Sequence, residues 1–193
     1  MPGNLAIERE IGRRLSEKRL FSLCHVDLDN FKPFADHYGY AWGSEVIKDV
    51  GLMLTAILGR QPDPNNGVFV GHIGGDDFVI IADPERAEEI SKETVRVFDE
   101  QITRFYSNKD RDKGFIIAKD RKGLNQKYPL MTITIAIVTD DGRRFSNPLD
   151  MAKKAAALKE YAKAMPGSNY VKEEDFEKEA ESGDKPSLPT KVV

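Results

Sequence analysis

Apolar residues at Leu5, Ile7, Ile11 and Leu15 recur close to helical spacing, so an amphipathic helix is expected over residues 4–18. Leu20–Val26 reads as a strand that ends on Asp27-Leu28-Asp29. A second helix is expected over Phe31–His37, with Pro33 in its first turn, where a missing N–H costs little. The segment Tyr38–Gly43 breaks it, and Ser44 is placed as the N-cap of the next helix. That helix carries Val46, Ile47, Val50, Met53, Leu54, Ile57 and Leu58 in a strong 3–4 pattern. Gln61–Gly67 is turn chemistry, and Val68–Ile73 and Phe78–Ala82 are two β-rich runs joined by Gly74-Gly75-Asp76-Asp77 as a hairpin. Ala87, Ile90, Thr94, Val97, Phe98, Ile102 and Phe105 mark another helix. Residues 106–130 are polar and turn-rich, with a strand candidate at Phe115–Ala118. Met131–Val138 is a clear strand, and Met151–Ala164 a helix rich in alanine and lysine. The order α-β-α-α-β-β-α-β-β-α implies an α/β sandwich, a central mixed sheet flanked by helices with right-handed crossovers. Residues 1–171 are expected to form this domain, and residues 172–193, which lose apolar periodicity, a disordered tail.

Composition narrows the partners. The 193 residues are 40% hydrophobic and 32% charged, which suits a globular domain with its own core. A formal net charge of -3 offers no global basic field for nucleic acid. An anionic substrate would need a local site built from a metal ion, a lysine or backbone amides. The single cysteine, Cys24, excludes an intramolecular disulfide and a cysteine cluster for zinc, and it is expected to pack as a buried thiol. No apolar run approaches the roughly 20 residues of a membrane span. The N-terminus lacks an apolar signal core, so a cytoplasmic location without membrane attachment is expected.

Two acidic blocks carry the candidate chemistry. Asp27-Leu28-Asp29-Asn30-Phe31-Lys32 lies where a strand gives way to a helix. Magnesium favours hard oxygen ligands and combines one or two carboxylates with substrate phosphates and water. The helix start offers free amides to phosphate, and Lys32 adds a point charge. Read alone, the block is better explained by Asp29 or Asn30 capping the helix. Gly74-Gly75-Asp76-Asp77-Phe78 forms a hairpin tip whose glycines permit a tight turn and close approach to a ligand. Alone it is an ordinary solvated turn. Together the two blocks are an economical way to build a two-metal phosphoryl-transfer site.

GGDDF is similar to the GG(D/E)EF signature of the GGDEF family, and DLDNFKPFADHYGYAWGSEVI resembles that family's upstream DxDxFKxxND…G…GD run. Similarity extends from about Pro2 to Val171, with PGN at the start and Leu158–Asn169 like the closing helix and phosphate turn. The resemblance implies a palm-like fold, and a homodimer that joins two nucleoside triphosphates into a cyclic dinucleotide, usually cyclic di-GMP from GTP. It further implies Mg²⁺ or Mn²⁺ held by Asp27, Asp76 and the carbonyl of Leu28. Asn30, Phe31, Lys32 and Lys163 would contact the triphosphate, and Asp77 would be the second acid of the signature. Sensory domains usually precede such domains.

The departures bear on substrate choice. Ala35 stands where the family reads guanine with asparagine, and Ser44 where it reads guanine with aspartate. Losing both partners should cost most of the preference for guanine, so ATP or mixed products such as cyclic GMP-AMP come into view. Asp77 replaces a glutamate with a shorter acid, His72 replaces an arginine ahead of the glycines, and Ser168 falls near the arginine of the final turn. Asn65 and Val68 stand where the inhibitory product site needs an arginine and an aspartate, so feedback through that site is not expected. The rival reading is a degenerate domain that binds a nucleotide or a protein without turnover. A third is an adenine-using polymerase related to the CRISPR enzymes, whose large subunit has a similar GGDD turn. His25 and His37 flank the first block but do not make a zinc site. Tyr38 and Trp42 are read as packing residues near Phe34, with stacking on a purine as the alternative.

Overall fold

The protein is described by a computed structural model over residues 1–59, 67–120 and 122–176. Helix α1 (Asn4–Ser16) leads into strand β1 (Phe21–Asp29), followed by the short α2 (Phe31–Tyr38) and the long α3 (Tyr40–Gly59). The hairpin of β2 (Phe69–Gly74) and β3 (Asp77–Ala82) precedes α4 (Pro84–Ile102), a 3-10 turn and α5 (Asn108–Lys113). Strands β4 (Phe115–Lys119) and β5 (Asn125–Pro129) form a separate ribbon. The strand β6 (Thr132–Asp140), helix α6 (Pro148–Lys163) and strand β7 (Asn169–Lys172) complete the domain.

The central sheet runs β2-β3-β1-β6-β7. All neighbours are antiparallel except β6 and β7. This is the expected mixed sheet flanked by helices. Side chains alternate across a strand, so β1 feeds two cores. Cys24, Val26 and Leu28 join Phe34, Val46, Val50 and Leu54 of α2 and α3 and Ile90 and Phe98 of α4. Phe21 and Leu23 face the other way, against Ile7 and Ile11 of α1 and Met151, Ala155, Leu158 and Ala162 of α6. Each of these larger apolar side chains contributes about 1.5–3 kcal/mol by leaving water. On that second face, beyond Leu23, the alternation continues with His25, Asp27 and Asp29. The core therefore ends, and the polar site begins, along a single strand.

Helix α1 is held tightly against the edge strand. A Cβ on Gly71 would meet Ile7 Cγ1 at 2.5 Å, so only glycine allows this approach. The amide of His72 donates to the carbonyl of Pro2 at 2.8 Å, covering part of the exposed edge of β2.

Strand β1 ends on Asp29, as the sequence implies, because pairing with β6 extends to Asp29 opposite Thr132. Other expectations are corrected. Ser44 is not an N-cap: only Gly39, at φ 97°, interrupts the helices, and α3 begins at Tyr40. The Ser44 hydroxyl instead donates to the Tyr40 carbonyl at 3.1 Å within the helix. Helix α5 and strands β5 and β7 were not expected; they are short and largely polar, without an apolar period to reveal them. The folded chain also runs past residue 171. Lys172 pairs with Ile137 in β7, Glu173 is buried, and the Phe176 ring packs edge-on against Tyr161 at 4.5 Å. The Gln61–Asn66 part of the expected turn and tail residues 177–193 lie outside the described residues. No helix among the described residues is long and apolar enough to cross a membrane.

Candidate active site

The site sits at the polar end of the sheet, beneath α6. Register places Asp27 of β1 between Asp77 of β3 and Thr134 of β6. The β2–β3 hairpin reaches this point through an irregularity between His72 and Gly74. Gly74 and Gly75 adopt φ of 144° and 58°, backbone that carries Asp76 past the end of β3. His72 staples the turn: its Nε2 lies 2.9 Å from the Gly75 carbonyl, so that nitrogen carries the hydrogen, and its ring packs 4.7 Å from Phe78.

Two lysines one helical turn apart on α6 reach down to these acids. Lys159 Nζ lies 2.9 Å from Asp27 Oδ1 and 2.9 Å from Asp77 Oδ1. Lys163 Nζ lies 2.6 Å from Asp27 Oδ2 and 3.9 Å from Asp29 Oδ1. His25 Nε2 donates to the same Asp77 Oδ1 at 2.9 Å. Asp29 Oδ2 accepts the hydroxyls of Thr132 at 3.0 Å and Thr134 at 2.7 Å.

The electrostatics follow from these neighbours. Burial, reinforced by the charges of Asp27 and Asp77, pushes the Asp76 carboxyl up. Burial would also raise Asp77, but hydrogen bonds from His25 and Lys159 outweigh it and hold that group well below the usual carboxylate range. Burial, with Asp27 adding repulsion, raises Asp29 despite its threonine donors. Both lysines are raised, because their carboxylate partners outweigh the desolvation that would lower them. The carboxylates are thus crowded enough to need cations.

The donor set fits a hard divalent ion. Among the described residues no three His, Cys, Asp or Glu side chains form a ready cage. Asp27, Asp76 and a main-chain carbonyl would give the few protein ligands that magnesium takes when it also binds phosphates and water. Leu28 can contribute only through its main chain, since its side chain is in the opposite core. Lys163 on Asp27 marks a position where a cation is already favourable.

The other expected residues divide. Asn30 occupies the N-cap position of α2 in left-handed backbone, φ 60°, without a side-chain cap bond. Asp29 is committed to the threonines, so capping does not explain this block. The amides of Phe31 and Lys32, in the first turn of α2, have no intrahelical acceptor. The Lys32 ammonium, however, turns to Asp36 at 2.8 Å and does not join the other lysines. Ala35 and Gly43 touch across α2 and α3: a Cβ on Gly43 would meet Ala35 Cβ at 3.1 Å. Trp42 is a packing residue, donating to the Phe105 carbonyl at 2.8 Å and packing on the Phe105 ring, not on Phe34. Tyr38 packs on Phe34 at 4.9 Å and donates to Asp110 at 2.6 Å. Ser168 donates to Asp99 and accepts from the Ile133 amide at 3.1 Å, so it ties the final turn to α4 and β6. Val68 packs against the core, and Asn65 lies outside the described residues.

A family model described as "Diguanylate cyclase, GGDEF domain" matches residues 4–163. The chain belongs to the GGDEF family. Its curated relatives include diguanylate cyclases of Escherichia coli, Vibrio cholerae and Shewanella oneidensis. The diguanylate cyclase DgcP of Escherichia coli is 29% identical over 109 residues, covering 56% of this chain and 29% of DgcP. Aligned segments span 15% to 30% of the first curated relatives, so the chain corresponds to a part of those proteins. The solved GGDEF domain of TpbB (YfiN) from Pseudomonas aeruginosa superposes with a TM-score of 0.63 at 17% identity, covering 89% of this chain and 90% of that one. The active GGEEF domain of a diguanylate cyclase from Vibrio cholerae gives 0.61 at 15% identity, covering 87% and 92%. At that identity the likeness shows the GGDEF fold.

The GGDEF pattern missed two residues of this site. His25 is two positions before Asp27, and so on the same face of β1. Lys159 is four positions before Lys163, and so on the same face of α6.

Proposed function

We propose that this GGDEF domain is a diguanylate cyclase-type nucleotidyl cyclase with relaxed or altered purine choice, making cyclic di-GMP or cyclic GMP-AMP. The observation that carries the reading is the convergence of Asp27 and Asp77, with Asp76 beside them, under two α6 lysines at one end of the sheet. Asp27, Asp76 and the Leu28 carbonyl would hold Mg²⁺ or Mn²⁺, which when bound supplies charge neutralisation for phosphoryl transfer.

The α2 amides at Phe31 and Lys32, with Asn30, receive the triphosphate, and Lys163 leaves Asp27 to contact its phosphates. The 3′-hydroxyl oxygen of one nucleotide bonds to the α-phosphorus of a second, held by a facing copy of the domain. The bond to the bridging oxygen breaks, and pyrophosphate leaves with the electron pair. Asp77, kept ionised, accepts a hydrogen bond from the attacking hydroxyl, whose proton passes to solvent. A second such step closes the ring. Catalysis rests on positioning and electrostatics. Ala35 offers the base no polar group, and Ser44 offers a hydroxyl able to donate or accept, which suits either purine.

The test is incubation with Mg²⁺ or Mn²⁺ and GTP, ATP or both, with products identified by mass. A cyclic dinucleotide whose formation is lost in Asp27→Ala and Asp76→Ala supports the reading; unchanged activity in those variants refutes it. A binding-only domain is favoured by one observation: both oxygens of Asp27 already carry ammonium partners. Triphosphate binding without pyrophosphate release would select it.

A further inference from the structure

The two α6 lysines differ in ways that separate their roles. Lys159 bridges β1 and β3, with its ammonium 2.9 Å from one oxygen of Asp27 and 2.9 Å from one oxygen of Asp77. Its side chain is 11% exposed, whereas that of Lys163 is 32% exposed and grips only Asp27 closely. His25 closes a third side, 2.9 Å from Asp77 and 3.5 Å from Lys159. Lys163, at the last turn of α6, has a route to solvent, and it is the cation on the buried Asp27 Oδ2, which it can leave when another cation takes its place. Lys159, one turn deeper beside buried Leu158 and Ala162, cannot leave without stranding two carboxylate oxygens.

We propose that Lys159 is a permanent cation of this site, holding the place where a second divalent ion would bridge the β1 and β3 carboxylates. The domain then binds one divalent ion, through Asp27 Oδ2 and Asp76, and Lys163 is the cation it displaces. The inference rests on the nucleotide-binding reading above and extends it to the number of ions. The physical reason is competition. A second ion would need the Oδ1 atoms that Lys159 occupies, and it would meet a fixed positive charge within contact distance. Magnesium loses its water reluctantly and gains too little there in return. His25 fits the same arrangement, because it donates to Asp77 Oδ1 and so fixes the oxygen that faces Lys159.

The experiment uses the full chain with a non-hydrolysable GTP analogue and Mn²⁺, read by electron paramagnetic resonance. Two manganese ions in one site lie about 3.5–4 Å apart and give a spin-coupled spectrum; a single ion does not. The expected result is an uncoupled spectrum for the wild type and for Lys159→Arg, and a coupled pair in Lys159→Met. A coupled pair in the wild type overturns the proposal, and so does an uncoupled spectrum in a folded Lys159→Met. The wild-type spectrum alone decides if Lys159→Met does not fold. An uncoupled wild-type spectrum and a coupled Lys159→Met spectrum, in a protein that forms no cyclic product, would sustain the assignment of Lys159 and reject only the cyclase reading.

Discussion

Lys163→Met should move two affinities in opposite directions. The ammonium sits 2.6 Å from Asp27 Oδ2, the oxygen proposed to receive a divalent ion. Its removal takes away a competitor. At this separation Coulomb's law in bulk water gives about 1.6 kcal/mol, a floor here because the Asp27 side chain is only 5% exposed. A gain of at least about 1.4 kcal/mol in ion affinity, roughly tenfold, is expected. The same change removes a charged contact to the triphosphate, worth about 1.5–3 kcal/mol, or about 10- to 150-fold in nucleotide affinity. Calorimetric titration of Mn²⁺ into the nucleotide-free protein measures the first effect. Titration of a non-hydrolysable triphosphate at saturating Mn²⁺ measures the second. Equal weakening of both would show that Lys163 props up the site rather than exchanging between two anions. No change in either would remove Lys163 from the phosphate-binding set.

Restoring the guanine-reading pair as Ala35→Asn with Ser44→Asp should raise the preference for GTP over ATP by about tenfold or more, read as the ratio of kcat/KM values. Glu173→Gln should cost about 1–3 kcal/mol, because a carboxylate only 3% exposed loses Arg144 and Lys154, both of which can rehydrate. Burial alone would raise Glu173, but its hydrogen bonds to those cations hold it below the usual glutamate range. The stabilisation is therefore present above the ordinary glutamate pKa and fades as pH falls through the lower folded one. Urea midpoints at neutral and at acidic pH should show a gap between wild type and Glu173→Gln that closes on acidification. Gly71→Ala should destabilise by about 1–3 kcal/mol, since the new methyl meets Ile7; an unchanged urea midpoint would show that α1 shifts freely.

The long elements were legible because each buries one stripe. Val46, Val50, Met53 and Ile57 announce α3, and Ala87, Ile90, Val97 and Phe98 announce α4. Legibility stops where pairing or charge replaces apolar burial. Strand β5, Asn-Gln-Lys-Tyr-Pro, has no buried residue and exists through its pairing with β4. Lys172 and Glu173 look like the start of a charged tail, yet Glu173 is pinned by Arg144 and Lys154. In the site, the acidic pair and Lys163 were visible through their motifs. Lys159 was hidden in an alanine- and lysine-rich helix, where lysines ordinarily mark the solvent face. Only the seating of α6 on the sheet, through Ala155 and Ala162, turns Lys159 inward beside Lys163.

The contact between the first residues and β2 also has a mechanical meaning. Strand β3 is fixed by its pairing with β1, but β2 is the edge strand, and it carries the turn that leads into Asp76. Pro2 accepts the His72 amide, Ile7 fills the space over Gly71, and His72 in turn clasps Gly75, next to Asp76. The start of α1 and the hairpin therefore behave as one lever. A twist or pull applied at the head of that helix is delivered, through three contacts, to the carboxylate of Asp76.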